Sequence, residues 1–137
     1  QTFVSKKITT AVANIKLGYQ KKLTLGNLYS RRDWGYAPEY VEGMWKMLQQ
    51  KKPEDFVIAT GYLSSLREFI SYSFSALNLN WENHVTSNPE LYRPSEIKSV
   101  YGSPKKANKK LNWRAEKNMP EVAKLMSLYE FEFLKNK

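Results

Sequence analysis

Phe56-Val57-Ile58-Ala59-Thr60-Gly61 is a continuous apolar run closed by glycine, and Ser65-Leu66-Arg67-Glu68 follows it closely. A half-buried strand would alternate polar and apolar residues. An unbroken run instead suits a strand covered on both faces, as in a parallel sheet. Ser65 and Glu68 stand at capping-box spacing, so a helix is predicted to open there, with Leu66, Phe69, Ile70, Phe74 and Leu77 on its apolar face. A buried strand followed by an amphipathic helix argues for α/β architecture.

The flanking sequence extends this pattern. Val4, Ile8, Ala11, Val12 and Ile15 keep helical spacing, and Gly18 is placed to cap that helix. Lys22-Leu23-Thr24-Leu25 alternates as a short strand and closes at Gly26-Asn27. Pro38 suits the first turn of another helix, whose apolar face is predicted to be Val41, Met44, Trp45 and Leu48. A strand is expected around His84-Val85-Thr86, then two short helices, the second opened by Ser103-Pro104. A last helix starts at Pro120, with Val122, Leu125, Met126, Tyr129 and Phe133 read as one face.

Composition bounds the possibilities. A chain of 137 residues supports one compact domain, and 42% hydrophobic residues with four Trp and nine Tyr argue for a packed fold. No apolar run approaches the length of about 18 residues that a membrane span needs, so the membrane is not an expected partner. The absence of Cys excludes disulfides, zinc-thiolate sites and thiol catalysis, and fits a reducing cytoplasm. Gln1-Thr2-Phe3-Val4-Ser5-Lys6-Lys7 carries no signal core and reads as the start of a piece cut from something longer or of a processed product. The net charge of +9 favours anionic partners. Its lysine pairs are spread along the whole chain, which reads as solvated helix ends and gives no ground for expecting nucleic acid.

Several chemistries find no support in the residues. No glycine-rich cradle for a dinucleotide or triphosphate is present. His84 is the only histidine, so no His/Cys metal site is expected. Tyr101 and Lys105 have the spacing of a Tyr-Lys catalytic pair, but Gly102 and Ser103-Pro104 lie between them. Tyr101 should then precede the helix that contains Lys105, which spoils the shared helix face.

Two arginines offer more. Arg32 follows a strand and a Gly-Asn turn, and Arg93 opens Arg93-Pro94-Ser95-Glu96. A guanidinium is a planar fork of donors that stays charged, which matches a diphosphate, and a carboxylate such as Glu96 can accept from a ribose diol. Taken alone, Arg32 reads better as a partner of Asp33 or a cation stacked on Trp34 than as a diphosphate ligand. Arg93 and Glu96 read equally as an ordinary helix start.

The surrounding strings are more specific. Leu25-Gly26-Asn27-Leu28, Arg32-Asp33-Trp34-Gly35 and Tyr40-Val41-Glu42-Gly43-Met44-Trp45-Lys46-Met47-Leu48-Gln49-Gln50 resemble GDP-mannose 4,6-dehydratases. The resemblance runs on through Pro53-Glu54-Asp55-Phe56-Val57-Ile58-Ala59-Thr60-Gly61, Leu66-Arg67-Glu68-Phe69 and Tyr92-Arg93-Pro94-Ser95-Glu96-Ile97 to Leu111-Asn112-Trp113. Tyr36 and Ser64 stand where the family usually shows histidine.

This resemblance implies the C-terminal substrate-binding portion of an extended short-chain dehydrogenase/reductase, lacking most of the N-terminal Rossmann domain. Residues 1–137 would form a single nucleotide-sugar-binding unit, with 56–60 a strand of the Rossmann sheet of the full-length enzyme. The full enzyme uses NADP to convert GDP-mannose to GDP-4-keto-6-deoxymannose and water. By motif, Arg32 and Arg93 would clamp the diphosphate and Glu96 would hold the ribose. Lys7 would lie near the guanine, with Val4 and Leu25 as walls. No catalytic, cofactor-binding or metal residue is carried over, so the isolated chain is expected to bind GDP or GDP-mannose without transforming it. A homo-oligomer and a missing Rossmann half are the expected partners. The alternative is a non-enzymatic binding module derived from the same family.

Overall fold

The computed structural model describes residues 3–92, 95 and 97–137. Helix α1 (Val4–Lys16) buries Ile8, Ala11, Val12 and Ile15, the stripe expected from their spacing. It ends on Gly18, whose φ of 81° lets the Tyr19 amide turn back to the Asn14 carbonyl. The chain then enters strand β1 (Leu23–Leu25), which buries its two leucines and exposes Thr24. It pairs in parallel with strand β4 (Val85–Ser87), Leu23 opposite Val85 and Leu25 opposite Ser87. Both short strands fall where the sequence placed them.

Strand β2 (Arg31–Arg32) pairs antiparallel with strand β3 (Ser64–Ser65), which runs directly into helix α3 (Leu66–Ser75). The predicted capping box forms: the Ser65 hydroxyl accepts from the Glu68 amide at 3.2 Å, and the Glu68 carboxylate accepts from the Ser65 amide at 2.6 Å. Leu66, Phe69, Ile70, Phe74 and Leu77 are all buried. Helix α5 (Met119–Lys135) packs along α1 and α3, so three helices and the β1–β4 pair enclose the main core.

A second, smaller cluster gathers Ala107 and Leu111 of helix α4 (Lys105–Leu111) with Trp113, against Tyr40, Met47, Phe56 and Ile58. Helix α2 (Ala37–Leu48) covers this cluster with Tyr40, Gly43 and Met47. The face predicted to be buried, Val41, Met44, Trp45 and Leu48, is turned outward, with Leu48 at 82% exposure. Helical spacing finds an apolar face but does not supply what covers it.

The inner face expected for the last helix differs from the structure. In α5 the inward row is Met119, Val122, Ala123, Met126, Ser127 and Glu130, while Leu125, Tyr129 and Phe133 face out. Small Ala123 and Ser127 let neighbouring helices approach closely, and the larger apolar residues are left on the outer side. Residues 56–60 join no ladder among the described residues. Phe56 and Ile58 rest on the second cluster and Ala59 and Thr60 are buried, but Val57 is half exposed. The backbone groups of 56–59 make no hydrogen bond among the described residues. One of the two short helices expected after Tyr92 forms, as α4; the described residues 97–104 are not helical.

Candidate functional site

The β2–β3 pair fixes the direction of the segment that carries Arg32. Arg32 lies opposite Ser64 and Arg31 opposite Ser65, and the pairing continues where the Ser30 carbonyl accepts from the Leu66 amide at 3.0 Å. On its other edge the Arg31 amide donates to the Lys98 carbonyl at 2.8 Å. Side chains along an extended segment alternate between faces. Ser30, Arg32 and Trp34 accordingly line one cleft of about 560 Å³, and neither Arg31 nor Asp33 does.

The cleft brings together four residues singled out in the sequence, Val4, Lys7, Leu25 and Arg32. Leu25 is a buried wall from β1, and Val4 and Lys7 come from the first turns of α1. Gly26, Asn27, Leu66, Leu91, Ser95 and Ile97 complete the lining. Lys7 Nζ donates to the Thr24 carbonyl at 3.3 Å, which brings the ammonium beside the middle of β1. Arg32 Nη1 donates to its neighbour's carbonyl, Arg31 O, at 2.8 Å. Two cations therefore meet apolar walls, with no carboxylate among the described lining residues. Such a cleft is chemically suited to an anion carrying a flat or apolar body.

The ordinary readings of Arg32 do not hold among the described residues. Asp33 is engaged elsewhere: one oxygen accepts from the Thr60 amide at 3.1 Å and hydroxyl at 2.7 Å, and the other accepts from the Gly61 amide at 2.8 Å. Gly61 has φ of 82°, a backbone state open to glycine that turns its N–H toward this carboxylate. Trp34 packs on Phe69 with ring centroids 5.1 Å apart, and no ring stacks on the Arg32 guanidinium. Tyr40 lies beside the same knot. Burial, and then the Asp33 carboxylate, push its phenol up to about 12.

Arg93 and Glu96 lie outside the described residues. Ser30, Asn27 and Trp34 line the cleft without having been assigned to it from sequence. Counting by twos from Arg32 along an extended segment gives Ser30 and Trp34, so that signal was available. Tyr101 precedes α4 and Lys105 is its first residue, so the pair does not share a helix face. His84 is a packed residue: Nδ1 lies 2.9 Å from the Lys21 carbonyl and the ring stacks on Phe74.

Residues 1–126 match the family described as GDP-mannose 4,6 dehydratase. The chain belongs to the GDP-mannose 4,6 dehydratase family. Among curated relatives, GDP-mannose 4,6 dehydratase 1 of Arabidopsis thaliana is 42% identical, aligning with 98% of this chain and 37% of its own length. The GDP-mannose 4,6 dehydratase of Dictyostelium discoideum is 41% identical over 98% of this chain and 43% of its own. The chain thus spans about two fifths of the relatives it matches. A solved structure, RMD from Pseudomonas aeruginosa complexed with NADPH, has a TM-score of 0.84 at 16% identity, over 96% of this chain and 43% of that one. At that identity the likeness concerns fold alone. The architecture is that of extended short-chain dehydrogenases/reductases, of which this chain represents a part.

Ser64 and Tyr36, both singled out in the sequence, have defined surroundings. Ser64 faces Arg32 across the β2–β3 pair. Tyr36 precedes α2 and lies beneath the Lys117 ammonium, 5.0 Å from the ring centroid. A dinucleotide cradle does not fit the described residues, because neither strand of the parallel pair leads through a glycine-rich turn into a helix.

Proposed function

We propose that this chain supplies the GDP-binding portion of a GDP-mannose 4,6-dehydratase, in which GDP-mannose becomes GDP-4-keto-6-deoxymannose and water. The observation that carries this reading is the convergence of Arg32 and Lys7 on one cleft walled by Val4 and Leu25. The guanidinium suits the diphosphate as a fork of charged donors. An ammonium suits the guanine O6 acceptor, and the aliphatic walls suit the faces of the base. Arg93 and Glu96 belong to the same proposal as the second arm of the clamp and the ribose ligand, on the strength of their motif.

The hydride and proton steps of that reaction are assigned to the remainder of the longer family proteins, which would bind NADP. Residues 56–60 are proposed to dock there as a strand of the Rossmann sheet. The backbone of 56–59, which makes no hydrogen bond among the described residues, and the half-exposed Val57 support that assignment.

Calorimetric titration with GDP and GDP-mannose tests the reading. Both should bind, and Arg32→Ala should weaken them by about 10- to 100-fold, the usual loss for a charge-assisted hydrogen bond. The chain alone should not turn over GDP-mannose with added NADP. A folded chain that binds neither nucleotide would sink the proposal.

A further inference from the structure

We infer that Asp33 is a positioning residue for the anion-binding Arg32, acting through the Thr60-Gly61 corner; this rests on the nucleotide reading of the cleft. Strand β2 pairs over only two residues, and Arg32's own hydrogen bond runs to its neighbouring carbonyl. Neither tells the guanidinium where to point. The residue after it does. Asp33 leaves the strand on the opposite face and is held by three donors from Thr60 and Gly61.

This hold has two consequences. It fixes the backbone immediately after Arg32, where Trp34 packed on Phe69 holds the next residue, while the β2–β3 pairing holds the chain up to Arg32, so the segment cannot rotate the guanidinium away. It also keeps a carboxylate adjacent in sequence to Arg32 turned away from the cleft, where it would repel an anion. Thr60 contributes twice, since its hydroxyl donates to Asp33 and accepts from the Tyr62 amide at 3.1 Å. The corner is thereby rigid enough to serve as an anchor.

The test is a double-substitution cycle read by GDP titration. Asp33→Ala should weaken GDP about tenfold, and Thr60→Val about threefold, while guanosine binding changes little. In an Arg32→Ala background Asp33→Ala should add almost nothing. Full additivity would overturn the inference, because it would mean that Asp33 acts on binding by another route. A second measurement stands apart from nucleotide binding: the side-chain Nε–H resonance of Arg32 in the 15N spectrum. It should move or broaden in both variants while those of Arg67 and Arg114 stay in place. An unmoved Arg32 signal overturns the inference even if GDP binds. Failure of Arg32→Ala to weaken GDP, with the resonance shift present, would instead defeat the nucleotide reading and leave the positioning intact. Thr60→Val keeps the carboxylate and the main-chain bonds, so it reads the same effect if Asp33→Ala fails to fold.

Discussion

Glu130 of α5 is buried against Lys6 of α1. One carboxylate oxygen takes the Lys6 ammonium and the other accepts from the Thr10 hydroxyl at 3.1 Å. A buried charge needs partners for each oxygen, and here both come from one neighbouring helix. Lys6→Met leaves Glu130 with Thr10 alone. Because the Lys6 side chain is half exposed, water can replace part of what is lost, and the expected cost is about 1–2 kcal/mol. Glu130→Leu, which removes the charge and its need for partners together, should cost less than Lys6→Met. Urea unfolding midpoints at constant slope decide both; equal midpoints for Lys6→Met and wild type would show that the pair contributes nothing.

The same helix shows where sequence reading reaches its limit. In α1 and α3 polar residues separate the apolar ones clearly, so the spacing of Ile8, Val12, Phe69 and Phe74 is enough to orient both helices. In α5 apolar residues occur nearly all round, and the choice between two rows falls to packing. Ala123 and Ser127 face inward because the gap beside α1 and α3 is narrow, a tertiary fact that no periodicity contains. Ala123→Leu should therefore destabilise by about 1–3 kcal/mol through overpacking. Tyr129→Ser should stay within about 0.5 kcal/mol of wild type, as surface changes do. Thermal melts of the two variants should reverse the order that hydrophobicity alone would give. In the cleft, by contrast, residue type and motif single out Arg32, and the alternation along its extended segment adds Ser30 and Trp34 on the same face.

Glu68 gives the fold a dependence on acid. The Ser65 amide, and then the Ser65 hydroxyl, hold its carboxyl below the ordinary value of 4.5. A carboxylate whose pKa is lower in the folded than in the unfolded chain contributes stability that is present above the unfolded value. That contribution is lost as pH falls through the folded value. Glu68→Gln weakens the capping box and should cost about 0.5–1 kcal/mol near neutrality. The gap between wild type and variant should close as pH drops below 4.5, and denaturant titrations across that range would show it. A gap independent of pH would mean that the charge is irrelevant and only the hydrogen-bonding shape matters.

The outward face of α2 and the unpaired 56–59 run predict how the chain behaves by itself. Val41, Met44, Trp45 and Leu48 share one side of the helix, and each is more than half exposed. Full burial of one such side chain is worth about 1.5–3 kcal/mol. An apolar extended segment whose 56–59 backbone makes no hydrogen bond among the described residues adds a template for strand pairing. The isolated chain is expected to self-associate at high concentration despite its charge of +9. Trp45→Ser with Leu48→Ser should raise the concentration at which association begins, and Val57→Lys should do so independently through the strand edge. Light scattering across a dilution series separates the two contributions. If wild type stays a monomer throughout, both surfaces are tolerated in water and the expectation fails. If only Val57→Lys restores the monomer, strand pairing and not the helix face drives association.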